Sequence, residues 1–121
     1  LKLGLGTDVG AGPTFSLLHT QGIAYQAALM KGERLDPFRA LWLATAGSAA
    51  LLHIADRVGS LAVGQEADFV VLDPQATPLL ARRTRGADLA ERLFALQVLG
   101  DDRAVQRTYL LGDCAWNRDK T

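Results

Sequence analysis

Between Leu3 and Leu18 the chain reads LGLGTDVGAGPTFSLL, and the period of its apolar residues changes midway. Leu1, Leu3 and Leu5 alternate with Lys2, Gly4 and Gly6, a period of two that predicts a short strand with Asp8 at its C-terminal end. Glycines at 10 and 12 interrupt it. From Thr14 onward Phe15, Leu18, Gly22, Tyr25 and Leu29 recur every three or four residues, which predicts an amphipathic helix stopping near Lys31 and Gly32. Strand, glycine loop and helix in that order make the opening unit α/β.

Downstream, Asp36-Pro37 predicts a second helix start: the Asp side chain accepts an orphan amide hydrogen bond, and proline at the first helical position has no amide to lose. Phe38, Leu41, Trp42, Thr45, Ala49 and Leu52 are expected on one face of that helix. Gly47, within the Ala-rich stretch, suggests close approach to a neighbour, because it otherwise costs on the order of 1 kcal/mol of helix propensity. Val58-Gly59-Ser60-Leu61 and the run from Ala67 to Asp73 are read as two short strands about a turn. Phe69 to Leu72 lacks polar alternation and is expected to be covered on both faces. Asp88-Leu89-Ala90-Glu91 has the pattern of a capping box opening a third helix that ends at Gly100. Val105 to Leu111, Gly112-Asp113 and Cys114 to Trp116 read as a terminal β-hairpin with Gly112 at its first turn position.

At 121 residues, with 49% hydrophobic content, the chain is long enough for one compact domain with a core. Thirteen basic residues balance thirteen acidic ones, so no global field draws in nucleic acid or an anionic membrane. Cys114, the single cysteine, excludes an internal disulfide framework and multi-cysteine zinc spacings, and is read as a small hydrophobe in a strand. No apolar run approaches the roughly 20 residues of a membrane span, and no signal peptide is present, so the expected location is cytoplasmic. A start at Leu1, inside what reads as a strand, suggests a piece of something longer.

The glycine loop invites a phosphate-binding reading that its spacing defeats. G-x-G-x-x-G would need glycine at Val9 or at Phe15, and no Gly-Lys-Ser/Thr tripeptide exists for a P-loop. A carboxylate at a strand end can instead be a loop or capping residue, a metal ligand or a proton carrier; in β/α barrels, side chains at strand C-termini face the active site. A catalytic zinc usually needs three protein ligands. His19 and His53 are the only histidines, form no H-x-H or H-E-x-x-H pair, and are assigned structural or surface roles, with His53 favouring a helix C-terminus by charge.

Three stretches carry a family resemblance. GLGTDVGAGPTFSLL (Gly4 to Leu18), VGSLAVGQEADFVVLDP (Val58 to Pro74) and LFALQVLGDDRAVQRTYLLGDCAW (Leu93 to Trp116) together resemble the C-terminal part of the guanine deaminase family, within the metal-dependent amidohydrolase superfamily. The resemblance implies an α/β fragment holding the last strand and helices of an eight-fold β/α barrel plus the C-terminal strands of a small β-sandwich. Residues 1–55 would end the barrel, 56–76 would be sandwich strands, 77–101 a helical return packing on the barrel, and 102–121 a sandwich hairpin and tail.

It also implies a zinc-dependent hydrolysis of guanine to xanthine and ammonia by the parent chain, in which Asp8 ligates zinc, hydrogen-bonds the attacking hydroxide and passes its proton toward the leaving ammonia. The remaining ligands and the acid/base glutamate would lie upstream, leaving the fragment inactive alone. The implied partners are a small-molecule purine and a second copy of the parent in a homodimer, with neither nucleic acid nor membrane. Thr7 is expected to support the site rather than react, and Phe15 to pack in the core. Ala11 and Pro13 depart from the family pattern, which usually has glycine and a small hydroxyl residue there; a positive φ at Ala11 would strain the loop. Sister deaminases of cytosine or adenosine-type substrates, chlorohydrolases and a non-catalytic association module are the alternatives.

Overall fold

A computed structural model describes residues 2–120; Leu1 and Thr121, and with Leu1 the first residue of the expected strand, lie outside the described residues. Helices α1 (Leu17–Met30), α2 (Pro37–Ala44) and α3 (Ala46–Leu51) come first, then strand β1 (Phe69–Leu72), helices α4 (Pro78–Thr84) and α5 (Leu89–Leu99), and strands β2 (Val105–Leu110) and β3 (Asp113–Asn117). The sheet is antiparallel in the order β1-β2-β3. The helices pack around α5, which touches α1, α2 and α4.

The local signals act as their chemistry requires. Ser16 caps α1, its hydroxyl accepting from His19 N, and the Asp36 carboxylate accepts from Phe38 N and Arg39 N at the start of α2. Asp88 and Glu91 form the reciprocal capping box of α5, which ends at Gly100. Phe69 stands opposite Tyr109 in the β1/β2 register, and their rings stack with centroids 4.5 Å apart. Beneath the sheet, fully buried Leu80 on α4 meets Ala95 and Leu96 on α5 and Ala104, with Leu72, Ala76 and Leu99 packed around them. Tyr25 of α1 and Phe94 of α5 meet edge to face at 4.8 Å. Gly22 lets α1 approach α5 closely: a Cβ there would lie 2.6 Å from the Gln97 carbonyl oxygen.

Six expectations are corrected. Residues 3–6 form no strand, because no ladder partner lies beside them among the described residues; their backbone hold is Leu5 N donating to Leu43 O at 3.0 Å. The second helix does not run to Leu52: Thr45 (φ −126°, ψ −100°) divides it into α2 and α3, and the buried residues are Ala40, Leu43, Gly47 and Ala49, whereas Phe38, Trp42 and Leu52 are exposed. Val58 to Leu61 is a loop tied down by side chains, Arg57 Nε donating to Glu66 Oε1 at 2.9 Å and Gln65 Nε2 to Ala55 O at 2.6 Å. β1 is covered only in part: none of Phe69, Val70, Val71 and Leu72 is buried, and Val70 is 52% exposed. The hairpin turns at Leu111-Gly112, one residue earlier than expected, with positive φ at both (52° and 85°), as a type I′ turn demands. Phe15 precedes the N-cap of α1, so the helical stripe does not reach it, and it is 87% exposed.

Gly47 does serve close packing, since a Cβ would lie 2.8 Å from the Trp42 ring. α4 was not anticipated as a separate helix, although Thr77 caps it and Pro78 opens it. Cys114 sits in β3, exposed and free.

Candidate functional site

Asp8 lies in the loop between the extended segment and α1, with φ +46°, a left-handed conformation that Asp tolerates better than most residues. The loop closes on Asp8 itself: its carbonyl accepts hydrogen bonds from Ala11 N, at 3.0 Å, and from Gly12 N, and Val9 and Gly12 form an isolated bridge. Gly10 carries the second positive φ (110°). Ala11 is not in the left-handed region, so the expected strain at that departure from the family pattern does not arise. Gly12 is required for another reason: a Cβ there would overlap the Thr7 carbonyl oxygen and lie 3.0 Å from the Asp8 carbonyl oxygen.

On its upstream side the segment is held at the interruption between α2 and α3. The Leu43 carbonyl accepts from Leu5 N at 3.0 Å and from the Ser48 hydroxyl at 2.7 Å, and that hydroxyl lies 3.3 Å from Leu5 O. Gly4 makes room for it, because a Cβ there would be 2.6 Å from Ser48 Oγ. Sequence reasoning identified Asp8 but not Ser48 or Gly12 as contributors to its placement.

The Asp8 carboxylate is exposed and has no hydrogen-bond or ion-pair partner among the described residues, so both oxygens are available. As a hard oxygen donor it fits one position of a zinc site. The rest of such a site is not here: among the described residues no group of three His, Cys, Asp or Glu side chains comes together. His19 is exposed on α1, and His53 is exposed just beyond α3 with φ 60°. Neither joins Asp8.

Beyond the loop, a cleft of about 750 Å³ opens between the start of α1, the end of α2 and the sheet; Phe15, Leu18, Leu41, Val70, Leu72 and Val105 make it largely apolar. Asp101 at its rim is held below the usual carboxylate range by the Arg103 guanidinium that donates to it. Asp73, at the end of β1, is lowered first by the amide of Gln75 and then by Arg118, whose guanidinium reaches it at 3.0 Å.

The sequence profile of the amidohydrolase family matches residues 1–114, and the chain belongs to that family. Within it, the chain is 43% identical over 120 residues to the guanine deaminase of Escherichia coli strain K12, covering 98% of this chain and 27% of that protein. The solved structure of E. coli guanine deaminase superposes with a TM-score of 0.92 at 44% identity, covering 97% of this chain and 28% of the other. Guanine deaminase from Bradyrhizobium japonicum superposes with a TM-score of 0.89 at 31% identity, covering 98% and 32%. The chain thus has a mixed α/β fold matching part of the guanine deaminase structures, and it spans a little over a quarter of the length of the E. coli relative. No helix among the described residues is long and apolar enough to cross a membrane.

Proposed function

We propose that the chain is the C-terminal segment of a zinc-dependent guanine aminohydrolase, which converts guanine and water to xanthine and ammonia, and that Asp8 is its contribution to the active site. The observation that carries the reading is the exposed, unpartnered Asp8 carboxylate on a glycine-closed loop, in a chain 43% identical to E. coli guanine deaminase. Residues 1–55 then end the barrel, 56–76 and 102–121 belong to the β-sandwich, and 77–101 return along the barrel. The parent is a cytoplasmic homodimer acting on a small purine. This assignment leaves the chain by itself without turnover, because Asp8 supplies one ligand of several.

Zinc bound there would lower the pKa of water toward about 7 and polarise it for attack. One Asp8 oxygen would hold the metal, and the carboxylate would accept a hydrogen bond from the attacking water. As the water oxygen bonds to the amino-bearing carbon, the C=N electron pair moves to the neighbouring ring nitrogen, which gains one of the two water protons, and Asp8 takes the other. It then passes that proton toward the amine, which leaves as ammonia when the C–N bond breaks. The Gly12 amide supports this role by closing the loop on the Asp8 carbonyl.

Zinc content and guanine turnover of the full-length parent, as wild type and as Asp8→Ala, test the assignment. We expect Asp8→Ala to lower turnover by on the order of 10²–10⁴-fold, the range for a removed acid/base group, with loss of bound zinc. Unimpaired turnover by Asp8→Ala would remove Asp8 from the mechanism, and turnover by the 121-residue chain alone would contradict its assignment as an incomplete site.

A further inference from the structure

We infer that Ser48 and Gly12 are positioning residues for Asp8, one holding the segment that leads into it and the other the loop that leaves it. The inference rests on the assignment of Asp8 as a metal ligand and adds the residues that aim it.

The upstream hold is concentrated at one point. Among the described residues, Leu5 N to Leu43 O is the backbone hydrogen bond that fixes residues 2–7 to the rest of the chain, and Asp8 lies three positions beyond Leu5. At roughly 3.3 Å per extended residue, about 10 Å of chain depends on that anchor. Its acceptor, the Leu43 carbonyl, also accepts from the Ser48 hydroxyl at 2.7 Å, and the same hydroxyl lies 3.3 Å from Leu5 O, so Ser48 sits against both residues of the contact. In an uninterrupted helix Leu43 O would accept from the amide four residues on, that of Gly47. The interruption at Thr45 instead places Ser48 beside Leu43 and Leu5.

The downstream hold is the closed turn. Gly12 N donates to the carbonyl of Asp8, which fixes the peptide plane after Asp8 and, with φ at +46°, the direction of its Cα–Cβ bond. Any side chain at position 12 would meet the Thr7 carbonyl and push this amide off its acceptor. A metal ligand must be held to within about 0.5 Å, and groups that orient a ligand typically change metal affinity by 10–100-fold when removed.

The test uses the full-length enzyme, loaded with zinc or with cobalt(II) as a spectroscopic substitute, in five forms: wild type, Ser48→Ala, Gly12→Ala, Asp8→Ala and Ser60→Ala. Ser60 is an exposed hydroxyl that bonds Gln65 and serves as the control. Metal dissociation constants from chelator competition, the cobalt absorption bands and the melting temperature are measured. Ser48→Ala is expected to weaken metal binding at least roughly 10-fold and shift the cobalt bands while melting within a few degrees of wild type, with Ser60→Ala unchanged. Gly12→Ala is expected to weaken binding further; should it fail to fold, Ser48→Ala alone decides. Loss of metal by Asp8→Ala with wild-type affinity and spectrum in Ser48→Ala would overturn the inference and leave Asp8 as a ligand. Wild-type metal affinity in Asp8→Ala would overturn the ligand assignment itself, and the inference with it.

Discussion

Replacing Gln97 by leucine removes an interaction that three helices share, and its cost follows from the geometry. Gln97 and Gln21 are each 3% exposed, and Gln97 Nε2 donates to Gln21 Oε1 and to Pro37 O, both at 2.8 Å, which joins α5 to α1 and to the first residue of α2. In Gln97→Leu the Gln21 oxygen is left dry and unpaired at about 1–3 kcal/mol, and the bond to Pro37 is lost at about 1 kcal/mol. The expected destabilisation is therefore about 2–4 kcal/mol. Gln21→Leu orphans one Gln97 N–H at about 1–3 kcal/mol, whereas the double replacement leaves neither amide unpaired, because no amide remains. The double variant should thus lie well below the sum of the singles, by at least about 1 kcal/mol. Urea unfolding followed by circular dichroism, on all four members of the cycle, measures this. Additivity to within about 0.5 kcal/mol, or a Gln97→Leu cost below that figure, would refute the account of the pair as a dry, mutually satisfied contact.

Leu80→Ala empties the one fully buried large side chain among the described residues and should cost about 3–5 kcal/mol, read as a lower urea midpoint at unchanged slope. Leu111 is 71% exposed with φ 52°, so Leu111→Asn should raise stability by about 0.5–1 kcal/mol in the same assay, because asparagine accepts the left-handed turn position. Asp73 and Asp101 have folded-state pKa values below the unfolded value of about 3.9. Their contribution to stability is therefore complete above that value and disappears as pH falls through the folded pKa values. Urea midpoints measured between pH 7 and pH 2 should fall on the acid side, and Asp73→Asn should flatten part of that fall while matching wild type at the lowest pH.

How much the sequence disclosed depended on how far apart the cooperating residues stand. The caps of α2 and α5 and the pairing partners around Gly112 are decided within a few residues, and each was legible, the turn to within one position. α4 was equally legible in principle, since Thr77 before Pro78 is the same kind of start signal as Asp36 before Pro37. The helix break at Thr45 was not, because a contact with Leu5 is made there and periodicity carries no trace of it. Val58 to Leu61 has the composition of a strand but no neighbour to pair with, and pairing rather than composition makes a strand. Asp8 was expected at the end of a strand, and the structure has it in a loop after a segment that pairs with no strand among the described residues. Ser48 was not legible, since it acts across 43 residues of sequence from inside an Ala-rich helix.

The interruption at Thr45 sets stability and precision against each other. A helix-favouring replacement such as Thr45→Ala raises local helix propensity by a few tenths of a kcal/mol. The straighter helix it encourages would reclaim the Leu43 carbonyl for Gly47 and leave Leu5 N without its acceptor. A screen that selects thermostability alone would therefore favour variants that loosen the segment carrying Asp8. This short turn is one place where engineering for robustness should leave a weak helix weak.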